Sequence, residues 1–218
     1  AAVLLGCALA RLPRGAFRPA LAAVAVVLLF AAAATARRAE IWRDDFAFWQ
    51  NAVAAVPEEG FPLTKLGVVL YRRGDLHGAE ATYREALGRR LEIPERAVTE
   101  NNLAQLLLRQ RRCAEAEPLF RSALVPGPRF SGPYRGLAEC LAMTASDGAK
   151  LAEMQTLLER AVALDPRDGR AALLLGKTHL AEGRRDEAVR WLTQATRIAP
   201  RTPSAAEAGA TLQQLGAR

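Results

Sequence analysis

"LGKTHLAEGRRDEAVRWLTQATRIAP", residues 175–200, decides how this chain is read. Small residues stand at Gly176, Gly183, Ala188 and Ala195, a leucine at Leu192, and a proline closes the stretch at Pro200. The same offsets recur upstream. Gly67 is followed by Gly74, Ala79, Tyr83 and Ala86, and its proline, Pro94, comes three residues late. Ala104 is followed by Ala116, Phe120, Ala123 and Pro128, with Arg111 at the glycine position. Ala138 is followed by Leu158, Ala161 and Pro166, after four extra residues within "TASDGAK". Pro57, Pro94, Pro128 and Pro166 each stand ten residues before one of these small residues, and Leu66, Leu103, Leu137 and Leu175 come just ahead of them. Ala210 stands ten residues after Pro200, behind Gly209.

Self-similarity at a fixed period marks a repeat architecture. Packing gives it a reason. Small residues let two helices approach, and Tyr83, Phe120, Leu158 and Leu192 fill the space between pairs. Gly74 and Gly183 close a first helix with positive φ. The prolines end one pair and open the next. Pairs that cannot bury an apolar face alone stack into a superhelix. Composition agrees: the 218 residues are 50% hydrophobic but only 6% aromatic, and alanine, the best helix former, is abundant. No stretch alternates in the way a strand requires.

The period of 34 resembles the tetratricopeptide repeat over residues 45–218. It departs from that pattern in lacking an early tryptophan in each repeat. Leu70, Leu107, Leu141 and His179 also stand where a tyrosine is usual. The resemblance implies an all-α fold, a solenoid of paired helices. Repeats are assigned to 58–94, 95–128, 129–166 (with the insertion) and 167–200, with a capping helix over 201–218. In that last segment Ser204 and Glu207 have the spacing of a capping box after Pro203.

The first 43 residues differ. Six arginines against Glu40 give them a charge of +5, while residues 44–218 carry only +2 of the total +7. Positive charge beside an apolar run reads as a membrane flank, not as the basic stripe of a nucleic-acid binder. Residues 20–36 carry no charge, and a transmembrane helix is expected over 19–36. Residues 1–10 are read as the end of an upstream membrane helix, 11–18 as a short basic loop and 37–43 as a juxtamembrane stretch. A secretory signal ending in "ATA" is the alternative. Both readings put the repeats on the exoplasmic side, although the flanking arginines are equal in number. The lipid bilayer is thus one expected partner.

Residues 44–57, "DDFAFWQNAVAAVP", fit the second helix of a repeat whose first helix is absent. Phe46, Trp49, Val53 and Val56 are its expected buried stripe, Asp44 or Asp45 its cap, and Trp42 an interfacial anchor.

No nucleophile motif, phosphate loop or metal-ligand spacing occurs, so no catalytic residue, metal or cofactor is assigned. Cys7, Cys113 and Cys140 fit no metal site, and a Cys113–Cys140 disulfide stays open beside a reading as small buried residues. The expected partner is a protein or an extended peptide. Each pair's first helix lines the concave face. By register its candidates are Lys65, Val68, Arg72, Asn101, Asn102, Gln105, Arg109, Arg135, Glu139, Arg170 and Lys177. Asparagine bonds peptide backbone and arginine holds carboxylates. Some tetratricopeptide domains clamp a C-terminal carboxylate with a fixed Lys/Asn set. Thr64 and Val68 occupy two of its positions here, so that clamp is not carried over.

Trp42, Asp44, Trp49, Pro57 and Leu66–Gly67, placed after an apolar hairpin, also resemble one larger arrangement. It is the C-terminal end of the transmembrane and tetratricopeptide repeat-containing protein O-mannosyltransferases, or of their bacterial relatives. That resemblance implies an acceptor-binding arm, with the catalytic acid upstream of this chain. A free periplasmic adaptor is the third functional reading.

Overall fold

The computed structural model describes residues 22–31, 44–127, 129–144, 148–198 and 200–216. The chain divides into two units, residues 1–55 and 56–218.

In the first unit residues 22–31 are helical, and α1 spans Asp45–Ala55. Val26, Val27, Leu28, Leu29 and Phe30 are all exposed. No described helix is long and apolar enough to cross a membrane. The segments expected over 1–10, 11–18 and 37–43, with Trp42, lie outside the described residues, as do residues 19–21 and 32–36 of the expected transmembrane helix. Asp44 caps α1: its Oδ1 accepts from the Phe46 N–H at 3.1 Å. The expected buried stripe needs correction. No residue of α1 is buried, and Val56, beyond its end, is exposed. The apolar groups are spread around the helix instead of gathered on one side. Phe48 and Trp49, adjacent in sequence, meet edge to face at 4.8 Å.

In the second unit the helices are α2 (Phe61–Arg72), α3 (Leu76–Leu87), α4 (Ile93–Arg109) and α5 (Cys113–Leu124). They continue as α6 (Gly132–Thr144), α7 (Gly148–Leu164), α8 (Gly169–Ala181), α9 (Arg185–Ile198) and α10 (Pro203–Gln214). No strand occurs among the described residues; a single bridge joins Glu59 to Arg90. Consecutive helices pack as hairpins, α2 on α3 through α8 on α9, and each second helix packs on the next first helix. First helices also touch one another: α4 meets α2 and α6, and α10 meets α8. This is an all-α solenoid.

The local rules are visible at each corner. Gly74 (φ 84°) ends the turn after α2, and Gly183 (φ 76°) does the same after α8. Asp75 and Asp168 begin α3 and α8 by accepting from the N–H groups of Gly78 (2.8 Å) and Ala171 (3.0 Å). Prolines sit in the first turns of α2, α4 and α10, where a missing N–H costs nothing. Pro94 is late because residues 88–92 intervene between α3 and α4. The capping box expected at Ser204 and Glu207 is not the cap of α10. Thr202 is: its Oγ1 accepts from the Ala205 N–H at 3.3 Å, and Pro203 opens the helix. Ser204 therefore falls inside the first turn, and Glu207 is free for another role.

Tyr83, Phe120, Leu158 and Leu192 are fully enclosed in the core. The fit is tight: a Cβ at Gly67 would stand 2.5 Å from the Tyr83 ring, and one at Gly136 would stand 2.3 Å from Phe120. Outside this core, ion pairs about one repeat apart stitch the second helices together. Arg112 meets Glu80 at 2.8 Å, and Arg121 meets Glu153 at 2.7 Å.

Candidate partner-binding face

The first helices α2, α4, α6 and α8, closed by α10, carry all eleven expected binding residues. The structure divides them into two groups of different character.

The first group lies on α2 and α4. Lys65 holds its ammonium 4.9 Å from the Phe61 ring centroid, a cation–π contact on the surface. Val68 packs against the core, and Arg72 is exposed at the end of α2. Arg109 donates to the Tyr71 hydroxyl with its guanidinium 5.4 Å from that ring. Gln105 donates to the Gly132 carbonyl at 3.2 Å, tying α4 to α6. Asn101 is 8% exposed. Its Nδ2 donates to Asn102 Oδ1 at 3.4 Å, while its own Oδ1 is buried with no hydrogen-bond partner among the described residues. A buried carbonyl left unpaired costs about 1–3 kcal/mol. Gly132 packs close beside it: a Cβ there would stand 3.0 Å from that oxygen.

The second group is a ladder of charges. Arg135 reaches Asp168 at 2.9 Å and Glu139 at 3.3 Å. Arg170 bridges Glu139 (3.4 Å) and Glu207 (3.1 Å), and Lys177 also meets Glu207. Ser131 donates to the same Asp168 oxygen at 3.2 Å. Three cations therefore face three carboxylates, and this half of the face is neutral in itself. The hydrogen bond from Lys177, with Arg170 adding to it, holds the Glu207 carboxyl below the usual carboxylate range. Asp168 and Glu207 were not among the sequence candidates. The one is also a helix cap, and the other carries the spacing of a capping box. Their signal is a separation of about one repeat from Arg135 and from Arg170 and Lys177.

Among the described residues no group of three or more His, Cys, Asp and Glu is placed to hold a metal ion. His77 is exposed, and His179 is buried at the end of α8.

Comparisons with known proteins fit this architecture. Two family models, each described as tetratricopeptide repeat, match residues 61–124 and 150–215. The chain belongs to the tetratricopeptide-repeat proteins, and its repeats form a protein–protein interaction module. Among solved structures it resembles YrrB, titled a TPR protein with an unusual peptide-binding site. That pair shares 20% identity over 83% of this chain and 87% of the other, with a TM-score of 0.57. It also resembles TTC0263, a thermophilic TPR protein of Thermus thermophilus (25% identity, 71% and 83% covered, TM-score 0.56). MamA from Desulfovibrio magneticus is a third such structure (17% identity, 72% and 85% covered, TM-score 0.57). No curated protein sequence matches the chain significantly.

Proposed function

We propose that this module holds an extended peptide segment of a partner protein on the α2–α4–α6 half of its concave face. The observation that carries the reading is the buried, unpaired Asn101 Oδ1. A peptide N–H supplies the missing donor, and Asn102 beside it offers a second amide to the same backbone. Lys65, Arg72 and Arg109 add positive charge on the same two helices and favour a segment bearing carboxylates. The ion-paired half at Arg135, Glu139, Arg170 and Lys177 serves cohesion between repeats instead. The test is titration of the full chain and its Asn101→Ala variant with an acidic peptide taken from a displayed random library. Loss of at least tenfold in affinity supports the reading; unchanged affinity contradicts it.

The proposal extends to a membrane tether. Its support is the run of exposed apolar side chains from Val26 to Phe30, inside the uncharged stretch 20–36 and between arginines at both ends. In this reading the bilayer covers those side chains, and the repeats stand on the exoplasmic side. Alkaline carbonate extraction of membranes from cells expressing the full chain tests the tether. Retention in the pellet supports it, and release overturns it. Service as the acceptor-binding arm of a glycosyltransferase rests on the motif at Trp42, Asp44, Trp49 and Pro57 alone.

A further inference from the structure

Glu100, on α4, is a carboxylate only 8% exposed. Among the described residues it takes one hydrogen bond and no ion pair: Ser122 Oγ, on α5, donates to its Oε1 at 3.0 Å. A cation is at hand, since Arg96 precedes it by one helical turn, a spacing at which such pairs form. Arg96 turns away instead and donates to the Leu87 carbonyl, at the end of α3, at 3.1 Å. A charge taken out of water is ordinarily held by a counter-charge or by several hydrogen bonds. One neutral donor leaves this carboxylate short.

Glu100 lines a cleft of about 400 Å³ between the start of α4 and the end of α5. Its apolar walls are Ile93, Ala97, Val125 and Pro126. Ile93 (69%) and Val125 (85%) are the two most exposed large apolar side chains described in the second unit. A second cleft, of about 420 Å³, shares Ala97 and Pro126 and continues past Val98 to Phe130. The two make one apolar groove with a single buried negative charge. The arginines that border it, Arg96 and Arg129, are exposed, so water and salt screen them far more than they screen Glu100.

We propose that this groove docks an apolar segment of a partner protein through one lysine, whose ammonium meets Glu100. The lysine methylenes lie along Ala97, Val125 and Pro126, and the head supplies the counter-charge that no described residue gives. A neighbouring apolar side chain of the segment fills the part between Val98 and Phe130. Lysine suits the site better than arginine. Ser122 already occupies Oε1, and one ammonium satisfies the remaining oxygen, whereas a guanidinium fork is made for two. The site is separate from the amide face: Asn101, next in sequence, lies about 100° further around α4, against Asn102 and Gly132.

In the test, a displayed library of short segments with a fixed central lysine and random flanks is selected on the full chain. The most enriched sequence is then made as a free peptide. Glu100→Gln keeps an acceptor for Ser122 but removes the charge, and is expected to weaken binding at least tenfold. Val125→Arg, at a position outside the core, is expected to weaken it as much, so a folding defect in the first variant does not decide the outcome. Norleucine or ε-acetyl-lysine in place of the central lysine should also cost at least tenfold. A water-soluble carbodiimide should join that lysine to Glu100 in an amide that peptide mapping locates. Asn101→Ala should leave the affinity of this peptide unchanged. The proposal is overturned if no segment enriches on the parent over Glu100→Gln, if arginine binds as tightly as lysine, or if the crosslink falls on another carboxylate. Displacement of the peptide by an equal concentration of n-butylamine would also overturn it, marking a site for small amines instead.

Discussion

Arg111 ends the turn after α4 with a φ of 61°, at the place in its repeat that Gly74, with a φ of 84°, holds in the first. It is the one non-glycine residue with positive φ among the described residues. A side chain in this region costs roughly 1–2 kcal/mol, while glycine adds up to about 1 kcal/mol of unfolded-state entropy. Arg111→Gly is therefore expected to stabilise the chain by about 0.5 kcal/mol in urea unfolding. A destabilised variant would show that the Arg111 side chain contributes more than its backbone loses.

Gly67 and Tyr83 set the spacing of the first pair. Gly67→Ala places a methyl against an enclosed ring and is expected to destabilise by about 2 kcal/mol, in the range for overpacking. Adding Tyr83→Leu recovers part of the loss, because Gly176 already packs against Leu192 in the fourth repeat. Losses that simply add in a double-mutant cycle would contradict the contact.

His179 occupies a slot filled by leucine in the other three repeats. Its Nδ1 is buried without a hydrogen bond, and Glu182 is 3.9 Å away. Burial first, and Arg184 second, hold its pKa below the ordinary imidazole value. The folded state therefore resists the proton that the unfolded state accepts. Stability is complete above the ordinary imidazole pKa and falls as pH drops through it towards the depressed value. His179→Leu is expected to flatten that part of the melting profile between about pH 7 and pH 5. An unchanged slope would assign it to another group.

Glu207 joins Lys177 and Arg170 on a partly exposed surface. Its depressed pKa means that its stabilisation is present above the ordinary carboxylate range and is lost as pH falls through the depressed value. Solvent screening keeps the contribution small, so Glu207→Gln is expected to cost less than about 1 kcal/mol. The same change frees two cations and should lengthen retention on a cation exchanger at pH 7. Equal retention would mean that the ladder does not mask them.

Much of the solenoid was legible because its signals are local and periodic. Gly67 and Gly176 mark close approach, Gly74 and Gly183 mark turns, and Tyr83 and Leu192 mark core positions. Arg111 was legible too, as a departure from the glycine pattern. The binding face was less so. Register places Asn101 and Arg170 on first helices, but only coordinates reveal that one is unpaired and the other doubly paired. The role of Glu207 was hidden because a short-range capping spacing coincides with a contact to the preceding repeat. The stripe of α1 failed because Phe46, Phe48 and Trp49 surround the helix, and periodicity alone does not choose among them.

The most direct measurement is a paired one on Asn101→Leu, made in the full chain. A buried carbonyl kept unpaired for a ligand weakens the free protein, so its replacement should leave the melting temperature unchanged or higher. The same variant should fail to enrich any acidic peptide from a displayed random library that the parent chain enriches, while Arg170→Gln still enriches them. Equal enrichment by Asn101→Leu and the parent would contradict the account.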